Sequence, residues 1–244
     1  FIVGATGLIG STLIEQIKTE KLRILKDQKL DIKIVGLTNS KKMVLNEEGV
    51  ELKDLEETAN IEEFIVKMKE LNLPNSIFVD CSASEEVSQK YPDILKASIS
   101  IATPNKKAKS SNLDQYSKLA LAASKSTAQF LYETNVGAGL PILNTLNDLL
   151  HSGDKIEKIE AVLSGTLSYI FNSYDGTIPF SEVVKQAKEK GFTEPDPRDD
   201  LNGIDVARKL LILARETGKM LELKDIDTKN LVPENCRITK DVEE

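Results

Sequence analysis

Phe1-Ile2-Val3-Gly4-Ala5-Thr6-Gly7-Leu8-Ile9-Gly10 is the stretch whose reading decides the fold. Phe1 to Val3 are apolar, as in a buried strand. Glycines at 4, 7 and 10 follow, and Leu8, Leu13, Ile14 and Ile17 then recur at the spacing of one helix face. In a strand, glycine turn and helix of this kind the backbone can approach a pyrophosphate closely. The anion is left on the helix N-terminus, where unpaired N–H groups and the positive end of the dipole point. Gly4, Thr6, Gly7, Leu8, Ile9 and Gly10 are the candidate contacts. The spacing is G-x-x-G-x-x-G rather than G-x-G-x-x-G, so a glycine-rich turn without a ligand is the competing reading.

Outward from that loop, strand-like runs at 31–37, 76–81, 97–103 and 129–132 alternate with helical patterns at 61–71 and 113–124. The charge-rich segments 20–30 and 41–60 read as loops or frayed helix ends. This alternation predicts an α/β fold, with a Rossmann-like parallel sheet covered on both faces and a nucleotide-binding unit over residues 1–135. Beyond Val136 the texture changes. Helical patterns at 140–150, 167–172, 180–191 and 203–217 surround one β-type run at 155–163. They predict a second, α+β unit over 136–244 that carries the substrate site. Phe1 already lies inside a strand and no terminal element follows Ile238, so the chain is expected to be clipped at both ends.

Composition narrows the function classes. No apolar run in the 244 residues reaches the roughly 18 needed to span a bilayer, which excludes an integral membrane protein. The net charge of -7 opposes general binding to nucleic-acid phosphates. Cys81 and Cys236 lie far apart without metal-ligand spacing, which favours a reducing compartment, the cytoplasm. His151 is the single histidine, so neither a Ser-His-Asp triad with a histidine to spare nor a multi-histidine metal site is available.

Three further stretches carry candidate chemistry. Strand 31–37 ends in Thr38-Asn39-Ser40-Lys41-Lys42, where a NAD site often places a carboxylate about 20 residues beyond the glycine loop. Asn39 and Lys41 suit the 2′-phosphate of NADP better than a bare ribose, although lysines at a strand end also occur as plain solvated loop. The segment Glu194 to Gly203 holds four carboxylates, Glu194, Asp196, Asp199 and Asp200, stiffened by Pro195 and Pro197. Such an array repels itself unless a cation meets it. An ammonium-bearing substrate, a divalent cation or simple N-capping of the next helix would each answer. In that helix Asp205 and Lys209 are one turn apart on a largely apolar segment, where an ion pair is costly unless it is used.

At this point the residues resemble one family. Ala187-Lys188-Glu189-Lys190-Gly191-Phe192-Thr193-Glu194-Pro195-Asp196-Pro197-Arg198-Asp199-Asp200-Leu201-Asn202-Gly203-Ile204-Asp205-Val206-Ala207-Arg208-Lys209 closely resembles the signature of homoserine dehydrogenases. Asn135 to Pro141, Leu163 to Asn172 and Ala102 to Lys106 are similar to other blocks of that family, in the family's order. The texture looks most like the short fungal-type form without a kinase domain. Against the family pattern, the glycine loop has one residue more, the first strand is clipped and the C-terminal segment that returns to the nucleotide unit is absent.

The resemblance implies reversible, NAD(P)-dependent interconversion of L-aspartate 4-semialdehyde and L-homoserine, in threonine and methionine biosynthesis, by a homodimer joined through the catalytic and dimerisation unit. By position it implies Lys209 and Lys106 as catalytic-site lysines. Glu194, Asp199 and Asp205 become substrate-site acids, Asp205 also orienting Lys209. Thr103, Pro104, Lys106, Gly137 and Gly139 would face the cofactor. The carbonyls of Glu133, Val136, Ala138 and Leu140 would hold a monovalent cation, sodium. Hydride delivery to an aldehyde carbon builds negative charge on its oxygen, and a lysine cationic at neutral pH can donate the proton. NADP is favoured over NAD on Asn39 and Lys41. One rival, an acyl-phosphate semialdehyde dehydrogenase, would need a nucleophilic Cys81. A second is a nucleotide-binding module without catalysis.

Overall fold

The computed structural model describes residues 1–194 and 196–239; Pro195 and residues 240–244 lie outside that description. The chain divides into two compact units, Phe1–Ala138 and Gly139–Glu244.

In the first unit, strands β1 (Ile2–Val3), β2 (Gly36–Thr38), β3 (Lys42–Leu45), β4 (Glu57–Thr58), β5 (Ile77–Asp80), β6 (Ser100–Ala102) and β7 (Phe130–Leu131) form one sheet in the order 4-3-2-1-5-6-7. The five strands from β2 through β1, β5, β6 and β7 are parallel, and β3 and β4 add an antiparallel arm. Side chains alternate across the pleat, so β1 sends Phe1 and Val3 into one apolar cluster and Ile2 into the other. The larger cluster joins Phe78 and Ile101 to Phe64 and Met68 of α2 (Ile61–Leu71), and to Val87, Tyr91, Ile94, Leu95 and Leu119. These last come from α3 (Glu85–Gln89), α4 (Tyr91–Lys96) and α5 (Leu113–Lys125). Across the sheet, Leu37 and Val79 pack with Ile14 of the first helix, α1 (Leu8–Gln28). The expected sheet with helices on both faces is what forms, a Rossmann-type nucleotide-binding architecture.

Three segments depart from expectation. The strand expected at 31–37 narrows to β2, with residues 31–35 outside the sheet. Residues 41–60, expected as loop or frayed helix end, instead carry the β3–β4 arm. Asn39 Oδ1 accepts from the N–H groups of both Lys41 and Lys42 at 2.8 Å, which tightens the turn and turns Met43 into the core. Residues 20–28 continue α1 rather than fraying. Arg23 pairs with Glu20 and Asp27 on one face, and Lys29 closes the helix in the left-handed region.

The second unit is helical through its described residues: α6 (Ile142–His151), α7 (Gly165–Ser173), α8 (Phe180–Glu189), α9 (Pro197–Leu201), α10 (Ile204–Glu216) and α11 (Glu234–Arg237), with one 3-10 turn at Leu223–Asp225. The expected strand at 155–163 has no ladder partner among the described residues and stays irregular, with Val162 80% exposed. Its β-prone alternation is real, but a strand exists only when a second strand takes up its backbone groups. Ile170, Val183, Ala187, Leu201 and Val232 form the unit's core cluster, and α10 buries Ala207, Leu211, Ile212 and Leu213.

Candidate active site

The first unit gathers its candidate residues beyond the carboxyl ends of the strands, where ligands lie in open parallel sheets. Gly4 has φ +75°, and a side chain there would stand 3.0 Å from the Cys81 carbonyl and the Ser82 nitrogen. Gly10 is more constrained: an added Cβ would lie 2.3 Å from the Gly4 oxygen. The glycine turn therefore folds tightly against the first turn of α1. The regular ladder of α1 begins where Ser11 N–H donates to the Gly7 carbonyl, leaving Leu8, Ile9 and Gly10 N–H as first-turn donors. Thr6 and Gly7 are exposed, as are the side chains of Leu8 (84%) and Ile9 (52%), so the tip of the loop faces solvent. An anion can reach those N–H groups, and the cradle fits a pyrophosphate in spite of its extra residue.

The parallel register sets Val3 opposite Thr38, so Asn39 follows abreast of Gly4. The Asn39 carboxamide oxygen is committed to its own turn. Lys42 Nζ donates to the Glu56 carbonyl at 2.7 Å, along the β3–β4 arm, while Lys41 stays exposed beside the glycine loop.

At the end of β6, Thr103, Pro104 and Lys106 sit on a loop tied down by a buried polar network. Asp80, wholly buried, accepts from the Tyr91 hydroxyl (2.6 Å), the Asn105 carboxamide (2.9 Å) and the Ser82 N–H (2.8 Å). Burial beside the Asp80 charge pushes the Tyr91 phenol well above its ordinary range, so it stays a donor. Thr103 Oγ1 donates to the Asp80 carbonyl (2.8 Å), and Asn135 Nδ2 donates to the Thr103 carbonyl (2.9 Å). Asn135 Oδ1 is a buried acceptor without a hydrogen-bond partner. Asp80, Tyr91, Asn105 and Asn135 were not among the sequence candidates. The available signal was a carboxylate closing the apolar strand Ile77 to Asp80. Farther along, Gly137 (φ +81°) and Ala138 (φ +50°) are both in the left-handed region.

In the second unit, Lys209 and Asp205 lie on α10 as expected, Nζ to Oδ2 2.7 Å. Lys209 Nζ also donates to the Leu163 carbonyl, 2.7 Å away at the head of α7. The Lys209 side chain is 17% exposed and that of Asp205 45%, so the ammonium is sheltered while the carboxylate reaches solvent.

The acidic array separates into two kinds of carboxylate. Asp196 caps α9 and grips Arg198 at 2.7–3.0 Å, and that guanidinium holds the Asp196 carboxyl below the usual carboxylate range. Arg198 in turn donates to the Cys236 and Thr239 carbonyls. Asp200 Oδ2 accepts the Glu194 N–H at 2.8 Å. The carboxylates of Glu194 and Asp199 make no hydrogen bond among the described residues and are the ones left to meet a ligand. Pro195 lies outside the described residues. Nor do the described residues include a group of three or more His, Cys, Asp and Glu that could hold a metal ion.

Comparison with known proteins identifies the setting. A family model for the homoserine dehydrogenase NAD binding domain matches residues 6–133, and one for homoserine dehydrogenase matches 141–243. This chain belongs to the homoserine dehydrogenase family. It is 47% identical over 246 residues to the chloroplastic bifunctional aspartokinase/homoserine dehydrogenase 1 of Arabidopsis thaliana, covering 98% of this chain and 27% of the relative. Over 175 residues it is 50% identical to the homoserine dehydrogenase of Schizosaccharomyces pombe, covering 69% of this chain and 46% of that one. The chain thus spans about a quarter to a half of the length of these curated relatives. Among solved structures, a Candida auris protein of unknown function superimposes with TM-score 0.78 at 36% identity, covering 93% of this chain and 68% of that one. A hyperthermophilic archaeal homoserine dehydrogenase in complex with NADPH gives TM-score 0.74 at 25% identity, covering 89% and 69%.

The family setting also bears on Cys81. Burial and the neighbouring Asp80 push its thiol up to about 11, which disfavours the thiolate that an acyl-phosphate mechanism needs.

Proposed function

We propose that this protein interconverts L-aspartate 4-semialdehyde and L-homoserine with NAD(P), with Lys209 as the proton-transfer group. The observation that carries the reading is Lys209 itself. It is a sheltered ammonium held at 2.7 Å by both the Asp205 carboxylate and the Leu163 carbonyl, on the unit matched by the homoserine dehydrogenase model.

The cofactor would lie on the Gly4–Gly10 cradle, with its nicotinamide against Thr103, Pro104, Gly137 and Gly139. Bound there, the reduced nicotinamide supplies the hydride. As the aldehyde oxygen gains negative charge, Lys209 delivers a proton to it, directly or through a water that it holds. The paired acceptors Asp205 and Leu163 fix the direction of the ammonium, so little ordering is left for the reaction to supply. Glu194 and Asp199 bind the amino group of the substrate, and Lys106 positions the substrate or shares the proton transfer. In the oxidising direction the same groups run in reverse. Placing the reaction in threonine and methionine biosynthesis follows from these two compounds.

Exposed Lys41 beside the glycine loop supports NADP over NAD. For the monovalent cation, sodium, the holders would be the carbonyls of Glu133, Val136, Ala138 and Leu140. The left-handed Gly137 and Ala138 and the unpartnered Asn135 oxygen suit a cation near this turn. We further propose a homodimer acting in the cytoplasm and of the short, fungal-type form; the fission-yeast likeness supports the form, and two free cysteines support a reducing compartment. No described helix is long and apolar enough to cross a membrane.

The test is homoserine-dependent growth of the reduced-nicotinamide absorbance with the intact protein. Absence of any hydride transfer would leave the chain as a nucleotide-binding module.

A further inference from the structure

Asp80 poses a physical question that the proposed reaction does not answer. A carboxylate taken wholly out of water costs several kcal/mol unless hydrogen bonds replace its hydration. Here the donors that face it are neutral: the Tyr91 hydroxyl, the Asn105 carboxamide and the Ser82 N–H. An apolar residue closing β5 would be cheaper, and the strand's other buried position, Phe78, is apolar.

The gain from a charge at this point is geometric. Charge-assisted hydrogen bonds are shorter and stronger than neutral ones, and three of them converging on one carboxylate hold their donors in fixed directions. Follow the Asn105 donor outward. Its carboxamide also donates to the Ser84 carbonyl (2.9 Å), its Oδ1 accepts from the Lys107 N–H (3.0 Å), and its own N–H donates to Thr103 Oγ1 (2.9 Å). That threonine hydroxyl donates to the Asp80 carbonyl and lies 3.0 Å from the Tyr91 oxygen. Thr103, Asn105 and Lys107 are therefore all tied, directly or at one remove, to a single side chain. Pro104 and Lys106 lie between them, and of the two only Lys106 carries a charged side chain.

We propose that Asp80 is the positioning residue for Lys106. Acting through Asn105 and Thr103, it holds the loop backbone so that the Lys106 side chain starts from one place. The proposal rests on the reading of Lys106 as a substrate-positioning group. It adds a residue 26 positions upstream in sequence, at the end of the strand that pairs with β6, after which Lys106 follows on a loop.

Asp80→Asn is the informative change. Its remaining oxygen can still accept the Ser82 N–H, but its new N–H₂ group confronts the Asn105 N–H₂ group, donor against donor. In the intact protein, Asp80→Asn is expected to lower kcat with homoserine by about tenfold or more. Reduced-nicotinamide affinity, read by fluorescence titration, should stay within about twofold. In a Lys106→Ala background the same change should cost less than about twofold, because residues acting through one another are not additive. Asn105→Ala should behave in the same way, and carries the test if Asp80→Asn does not fold. Normal kcat in either variant, or an equal loss with and without Lys106, would show that Asp80 is merely part of the core and overturn the proposal. Absence of turnover in the unmodified protein would remove the reading of the reaction and this proposal together. Loss in Lys106→Ala with normal Asp80→Asn and Asn105→Ala would remove the proposal alone.

Discussion

The Lys209 ammonium lies between the Asp205 carboxylate, one turn back along α10, and the Leu163 carbonyl, 46 residues away in sequence, at 2.7 Å from each. An i, i+4 pair on an exposed helix contributes only a few tenths of a kcal/mol. Here the second acceptor and the shelter around Lys209 turn an ordinary pair into an oriented donor. Lys209→Ala should lower kcat by about 100-fold or more, the scale of a lost general acid, and leave nicotinamide affinity nearly intact. Asp205→Asn should lower kcat less, since the Leu163 carbonyl remains. Steady-state kinetics beside a fluorescence titration separates the two effects, and near-normal turnover in Lys209→Ala would remove the acid/base role.

Gly10 is where the cofactor cradle leaves no space. Alanine there would press its methyl carbon against the Gly4 oxygen and Ala5 Cα, at 2.3 and 2.9 Å before relaxation. The loop must open to admit it. Overpacking of this kind costs about 1–3 kcal/mol, so Gly10→Ala should lower the melting temperature and weaken NADPH binding together. Undiminished affinity would mean that the phosphates sit elsewhere.

Cofactor choice can be read at Lys41. Lys41→Ala should raise the KM for NADP several-fold and leave that for NAD unchanged, because only NADP carries the extra phosphate. Equal effects on both, or a wild-type preference for NAD, would contradict the role given to this residue.

Asp196 and Arg198 tie the acidic loop to residues 236–239. The Asp196 pKa is depressed in the folded state, so its contribution to stability is present above the unfolded value of 3.8 and is lost as pH falls through the folded value. Asp196→Asn should therefore melt below the parent protein at neutral pH, and the gap should close in strong acid. A gap that persists undiminished below the folded pKa would point to a different cause.

Cys81 supplies a negative control for the rival chemistry. With its thiol pushed up to about 11, it should react slowly with alkylating agents at neutral pH, and Cys81→Ala should keep turnover close to normal. Loss of turnover in step with alkylation would revive a covalent mechanism.

Much of this molecule was legible before any coordinates. Helical spacing located α2, and nearly the whole of α5 and α10, because their apolar faces repeat every three to four residues whatever they pack against. The run 155–163 misled for the complementary reason: alternation shows that a segment can be a strand, while pairing is settled by another segment. The arm at 41–60 was missed because its strands are too short for alternation to register, four residues in β3 and two exposed polar residues in β4. Its turn depends on what the Asn39 side chain does locally.

The sequence by itself determined the order of elements, the glycine turn at the head of α1 and the residue types of both candidate clusters, since periodicity, glycine content and charge are properties of neighbours along the chain. The tertiary structure decided which of those groups have anything to do. It assigned Asp196 and Asp200 to holding their own loop while leaving the Glu194 and Asp199 carboxylates unbonded among the described residues. It brought Leu163 to Lys209, and it joined Asp80 to Asn105, the residue before Lys106. Each of those outcomes is a hydrogen bond between groups distant in sequence or a choice among adjacent carboxylates. Such bonds are set by where buried donors and acceptors meet once water has been excluded.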